Sequence, residues 1–230
     1  MSAAAVYLQP AFILQHRPYR ESSLLLEVFS RDHGIVPILA KGVRKEKSRL
    51  AGVLLPFTLL RISYLDRQEL KTLTAAEFVY SYPLQRLSLY CGFYVNELLQ
   101  VLLHRHDPHP ELFQSYEACL TDLLAGQAIQ QTLRYFELSV LEESGYGIEL
   151  DFVQQTDDAQ RYDFIPGSGL MATPKGCVSM ETLQLLAGKS PLSGPALPES
   201  KLLLRKMLDE HLQGRPLKSR DVLAKIIKYL

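Results

Sequence analysis

The chain has 230 residues, 25 Lys and Arg against 25 Asp and Glu, and 47% hydrophobic residues; this suits one large or two small folded domains and argues against disorder. No apolar run reaches the ~18 residues a bilayer crossing needs, and the opening "MSAAAVYLQPAF" lacks the basic and long apolar segments of a secretion signal, so a cytoplasmic protein without a membrane partner is expected. Cys91, Cys119 and Cys177 are odd in number and too widely spaced for a zinc ribbon, which reads as buried free thiols rather than disulfides.

Up to about residue 80 the chain consists of short apolar or alternating runs broken by turn residues, the pattern of an all-β domain. Strands are expected near 11–17, 23–29, 34–40, 53–64 and 70–80. The stretches "SRDHG" (30–34) and "LDRQE" (65–69) suit hairpin turns. Pro37 makes the third run an edge strand or a bulged one. Five strands with an irregular link between the third and fourth fit a small closed barrel of the oligonucleotide/oligosaccharide-binding (OB) type.

After Pro83 the period changes to about 3.6. Leu87, Tyr90, Cys91, Tyr94, Leu98, Val101 and Leu102 form one apolar stripe of a helix ending near His104. Further helices are expected at about 110–124, 129–144, 180–187, 200–212 and 220–230. "GYG" (145–147) suits a C-cap, and Ser179, Ser200 or its neighbour, and Ser219 suit N-caps. Between 148 and 178 lies an irregular Gly/Pro-containing region with a hairpin expected around Gly167–Gly169. The fold class is therefore α+β: an OB-type barrel over 1–80, then a helical domain over 81–230 that carries this irregular insertion.

The zero net charge hides segregation. Residues 1–80 carry +4, residues 100–160 carry −9 and residues 161–230 carry +5. A polyanion responds to the local field rather than the sum. The densest positive stretch is "AKGVRKEKSRL" (40–50), with Lys41, Arg44, Lys45, Lys47 and Arg49 against Glu46. In an OB barrel this loop joins the third and fourth strands, near the face that holds single strands. With Arg17 and Arg20 its cations would neutralise phosphates, while Tyr19 and Tyr64 would stack bases. Phe29 and Phe57 are expected in the core. Such a loop supplies affinity without reading sequence.

Catalytic signals are weak. The segment "HRHDPHP" carries His104, His106, Asp107 and His109, a composition that suits a metal site. Its place at a helix end among prolines makes a solvated turn the expected reading. Neither a phosphate-binding glycine loop nor a nucleophile elbow is present. A non-catalytic binding protein is expected. A protein adaptor that binds no DNA, and a hydrolase using the 104–109 histidines, are the alternatives.

Six blocks in order carry a resemblance: "AFILQHRPYRESSLLLEVFSRDHG" (11–34), "LAKGVRKEKSRLAGVLLPFTLL" (39–60), "LKTLTAAE" (70–77), "YVNELL" (94–99), "LRYFELSVLEESGYG" (133–147) and "LKSRDVL" (217–223). Together they resemble the bacterial RecO family of recombination mediators over nearly the whole chain. The resemblance implies an OB fold, a helical domain and a nucleoid-associated protein without catalytic turnover. It would bind single- and double-stranded DNA, anneal complementary strands, and work with RecR and RecF to load RecA onto strands coated by single-strand-binding protein (SSB). Many members look as if they carry a four-cysteine zinc site in the region matching 148–178. This chain has only Cys177 there, so no zinc, no other cofactor and a region held by packing are expected. Contact with the acidic SSB tail needs an apolar slot beside a cation. Arg134 with Leu138 one turn on offers one, although Arg134 could equally pair with Glu137 or Glu142. Lys201, Arg205, Lys206, Lys218 and Arg220 form a second basic group that either touches DNA or is merely solvated. A monomer is expected for the protein alone.

Overall fold

A computed structural model describes residues 4–46, 48, 50–147 and 161–227. The chain forms two compact units, Met1–Ala125 with Ser219–Leu230, and Gly126–Lys218.

The first unit is built on five strands: β1 (Ala4–Tyr19), β2 (Ser23–Ser30), β3 (Gly34–Ala40), β4 (Thr58–Asp66) and β5 (Lys71–Ser81). They close into a barrel in the order β1-β2-β3-β5-β4. The long β1 serves two neighbours. Its first half pairs with β4 (Ala4↔Asp66 to Phe12↔Leu59) and its second half with β2 (Ala11↔Ser30 to Tyr19↔Ser23). Bulges at 7–8 and around residue 14 give the bend this double duty needs. At the first, Leu8 has φ +50 and its N–H donates to Ser63 Oγ at 3.1 Å. Parallel pairing of β3 with β5 shuts the barrel through Ile38↔Lys71 and Leu39↔Thr72.

Period-two alternation sets the core. Leu24, Leu26 and Val28 of β2 point inward beside Ile13, Val36, Ile38, Leu60, Ile62 and Tyr64, while Leu25 and Glu27 point out. Pro37 sits in an unbroken register opposite Glu27. Because β5 pairs only at residues 38 and 39, one edge of β3 is open at Pro37, where a missing N–H is tolerated. The fourth strand begins at Thr58, not near residue 53. Leu54 and Phe57 are buried without being in a strand: Leu54 joins the barrel core, and Phe57, at φ +61, packs 5.2 Å from Phe93. The apolar run reflects burial of a loop, which period alone cannot distinguish from a strand.

Helices α1 (Arg86–Leu102) and α2 (Pro110–Ala125) belong to the same compact unit as the barrel. Asn96 of α1 links all three: its amide donates to Leu14 O at 2.8 Å and its Oδ1 accepts from Tyr116 of α2 at 2.6 Å. Phe12 and Phe29 meet Phe113 and Tyr116 at ring distances of 4.9–6.0 Å. Gly34, closing the β2–β3 turn at φ +62, is required twice over. A Cβ there would lie 1.9 Å from the Asp107 carbonyl oxygen, and the dihedral itself disfavours other residues.

The second unit contains α3 (Ile129–Glu143), a three-stranded sheet of β6 (Arg161–Ile165), β7 (Gly169–Ala172) and β8 (Val178–Ser179), then α4 (Met180–Ala187) and α5 (Ala196–His211). After α3, Gly145 at φ +80 donates to Glu142 O while Tyr146 N–H donates to Leu141 O, a Schellman stop. The turn between β6 and β7 holds Gly167 at φ +73. Residues 148–160, most of the expected irregular region, lie outside the described residues.

Ser179 caps α4 by accepting the Thr182 N–H at 3.2 Å. The other two cap expectations are overturned. α5 starts at Ala196 behind Pro195, leaving Ser200 buried inside the helix with its hydroxyl on Leu197 O. Ser219 lies within α6 (Lys218–Ile227), and its N–H donates to Glu97 Oε2 at 2.9 Å.

A carboxylate clasp fastens the sheet to both helices. Glu199 of α5 accepts from Ser179 N–H (2.9 Å), Ser179 Oγ (2.7 Å), Thr182 Oγ1 (2.6 Å) and Arg161 Nη2 (2.8 Å). Those donors hold its carboxyl at about 2 although burial opposes them. Beside it Lys206 Nζ reaches both Asp163 oxygens, at 2.6 and 2.7 Å, and Cys177 Sγ lies 3.3 Å from the same carboxylate. Burial first, and then Asp163, push that thiol up to about 11.

Candidate nucleic-acid interface

The β1–β2 turn and the 41–50 loop meet at one rim of the barrel. Arg44 N–H donates to Ser22 O at 2.9 Å, and Arg44 Nη1 donates to Arg20 O at 3.2 Å. Val43, 1% exposed, plugs into the core and fixes the loop's start. Lys45 N–H bonds Gly42 O, Ser48 N–H bonds Lys45 O, and Leu54 N–H bonds Leu50 O, so the loop is a chain of tight turns. At its far end His16 Nδ1–H donates to Leu54 O at 2.9 Å. This anchoring by backbone leaves Lys41, Arg44 and Lys45 exposed, on the same rim as exposed Arg17 and Arg20. Tyr19 is half-buried, with the Arg20 guanidinium 5.3 Å from its ring centre. Lys47 and Arg49 lie outside the described residues.

Tyr64 does not belong to this surface. It is 2% exposed within the barrel core, and burial, with Asp66 second, pushes its phenol up to about 12. The stacking role expected for it is therefore overturned, because position 64 falls on the inward phase of β4 with Leu60 and Ile62. Phe29 and Phe57 are buried, as their apolar settings led us to expect.

Sequence reasoning missed the centre of the barrel's outer face. Arg105, from the segment after α1, lies along β3, with His106 N–H on Ile35 O at 3.1 Å. Its guanidinium donates to Glu27 Oε1 (3.1 Å) and Glu69 Oε1 (3.3 Å). These partly exposed pairs add little stability, and they commit the Arg105 cation to two carboxylates on this face. The one available signal was Arg105 itself, a lone cation beside Arg134 in the acidic stretch 100–160.

Elsewhere the expected sites are altered. Arg134 is 6% exposed, and both its Nε and Nη2 are engaged by Glu137 three residues on; Leu138 is 1% exposed. The slot expected for a peptide tail is thus closed: the guanidinium fork is turned inward to satisfy a buried carboxylate. In the second basic group Lys206 is committed to Asp163 and Arg205 lies 3.7 Å from Asp209, while Lys201 is exposed on α5. Lys218 is the last residue of this compact unit, whereas Arg220 belongs to the other. The five cations therefore do not make one surface within either unit.

His104 and His106 are exposed, and His109 Nε2 lies 3.6 Å from Asp107 Oδ2. Among the described residues no group of three or more His, Cys, Asp or Glu side chains is placed to hold a metal ion. Among them, too, no helix is long and apolar enough to cross a membrane.

The model of the Recombination protein O N-terminal domain matches residues 1–82, and that of the C-terminal domain matches residues 84–221. The chain is similar to DNA repair protein RecO of Methylococcus capsulatus, 40% identical over 94% of this chain and 93% of that protein. Similarity to the RecO proteins of Aromatoleum aromaticum (41%, covering 95% of each chain) and Azoarcus sp. strain BH72 (39%, covering 96% of each) is equally extensive. A chain matched over most of its length by both domain models and by such relatives belongs to the Recombination protein O (RecO) family of DNA repair proteins.

Proposed function

We propose that the protein is a non-catalytic recombination mediator: it binds single- and double-stranded DNA on the barrel rim and anneals complementary strands. With RecR, and RecF alongside, it helps load RecA onto SSB-coated strands at the bacterial nucleoid. Family membership supports the role. The observation that carries the DNA-binding part is the pair of Arg44 bonds to Ser22 O and Arg20 O, which gathers Arg17, Arg20, Lys41, Arg44 and Lys45 onto one rim. Cations held there displace the counterions of a sugar–phosphate backbone, an attraction that does not depend on base sequence. Neutralising the phosphates of one strand also weakens its repulsion of a second, which is what annealing needs. With the Arg134 slot closed, docking of the SSB tail is assigned to the protein as a whole and to no residue.

The test is fluorescence anisotropy of labelled single-stranded DNA across a salt series. Wild-type protein binds tightly at low salt and loses affinity steeply as salt rises. A variant with Lys41, Arg44, Lys45, Lys47 and Arg49 changed to glutamate loses most of that affinity. Unchanged affinity in the variant would leave a protein adaptor with an incidental basic loop as the better reading. Turnover of any ester or nucleotide abolished by His104→Ala would point instead to a hydrolase.

A further inference from the structure

The outer surface of β1, β2 and β3 is not flat. Against the end of α1 it encloses a cavity of about 230 Å³, smaller than the ~300–1,000 Å³ of clefts for drug-sized ligands and suited to a single flat ring. Leu25, Ile35 and Leu103 give it apolar walls, and Gln15, Gln100 and Glu27 give it hydrogen-bonding ones. That combination, apolar surface for ring faces and a few polar groups for edges, is the chemistry that holds an unstacked nucleobase.

Two details define the edge it would read. Arg105 engages Glu27 through Oε1, and Oε2 makes no hydrogen bond among the described residues. Gln100 places one amide N–H on Asn96 O at 3.2 Å, and its oxygen is an acceptor. The cavity therefore sets acceptors, one of them a carboxylate oxygen, beside the Arg17 and Arg105 guanidiniums, which suits a ligand edge that carries a donor next to an acceptor. Cytosine and adenine present an exocyclic amino group, whereas thymine presents a carbonyl at the corresponding position. The cavity also lies in line with the rim. Gln15, Arg17 and Tyr19 alternate along the outward side of β1, about 6–7 Å apart, and run from the cavity wall to the β1–β2 turn.

We propose that this cavity receives one base of a single strand captured on the rim, and that Glu27 Oε2 accepts a hydrogen bond from its exocyclic amino group. Arg17 carries the phosphate track between the rim and the cavity. The inference rests on the DNA-binding reading above and adds a base preference to it.

Competition anisotropy on the full-length protein tests it, with oligo-dC and oligo-dT of about 15 nucleotides, within the ~4–16 nucleotides an OB fold covers. The two have equal phosphates and rings of the same size. Wild-type protein favours oligo-dC by about tenfold, and Glu27→Gln brings the two within about twofold, because an amide serves either base edge. Leu25→Trp, which fills the cavity from a half-exposed position, removes the preference without touching Glu27. Lys41→Ala with Arg44→Ala weakens both oligonucleotides alike and keeps their ratio. Equal, salt-sensitive binding of both by the wild type overturns the cavity and leaves rim capture standing. Binding of neither overturns both, and a preference that survives Glu27→Gln and Leu25→Trp overturns the assignment to this cavity.

Discussion

Replacing Glu199 by glutamine takes one charge out of the clasp among β6, β8, α4 and α5 while keeping its shape. The carboxyl, its side chain 13% exposed, is held at about 2 against an ordinary 4.5. At about 1.36 kcal/mol per pH unit that difference corresponds to about 3 kcal/mol of native-state stability. A lowered carboxylate contributes fully above its unfolded value and loses its contribution as pH falls through the folded one. The wild type should thus be more stable than Glu199→Gln by about 2–3 kcal/mol at pH 6 and above, with about 2 kcal/mol of that advantage gone by pH ~3. Urea unfolding followed by circular dichroism at pH 6, 5, 4 and 3 measures it, and the difference between the two proteins is the quantity to follow because other carboxylates titrate in both. A gap that stays constant from pH 6 to pH 3 would refute the assignment of the clasp to an ionised Glu199.

Further outcomes are expected elsewhere. If Arg17, Arg20, Lys41, Arg44 and Lys45 each meet a phosphate, the single-strand salt slope is about −3.5 and a fourfold rise in salt weakens binding on the order of 100-fold. Truncating Lys41, Arg44 and Lys45 to alanine lowers the slope to about −1.4 and the loss to about sevenfold in the same anisotropy titration. Gly34→Ala meets both the Asp107 carbonyl and a positive φ, and should lower stability by about 3 kcal/mol or more in thermal denaturation. Arg134→Ala leaves the Glu137 carboxylate buried without its guanidinium and should destabilise by about 3–5 kcal/mol. Tyr64→Phe should leave oligonucleotide affinity unchanged, and a tenfold loss would contradict its place in the core.

Where local pattern and burial coincide, the sequence was readable. All five expected strands and six expected helices overlap observed ones, and 34–40 and 180–187 match at both ends, but the first strand starts seven residues earlier than expected and the fourth five residues later. Boundaries failed where an apolar run served a buried loop, as at Leu54 and Phe57, or where a serine expected as a cap was enclosed, as at Ser200. The basic stretch was legible because charge density is a linear property, and the turns at Gly42–Lys45 and Leu50–Leu54 only flank it. Pairings between distant residues were not legible. Arg105 with Glu27 bridges 78 positions and Lys206 with Asp163 bridges 43, and no periodicity reports such partners. Tyr64 and Arg134 misled for a related reason: an amphipathic side chain has the same composition inside a core as on a surface, and only the phase of the strand or the packing of the helix separates the two.

The seam between β3 and β5 has a consequence for motion. With two residue pairs across it, against eight between β4 and β5, it is the barrel's shortest seam, and the amide of Lys71, which pairs only across it, is expected to exchange with solvent sooner than those of β4. Lys41, the first cation of the basic loop, follows β3 directly after that line. A transient parting of the seam would therefore move the loop's root, so that local unzipping of two rungs is expected to widen the basic rim while the other strands keep their register.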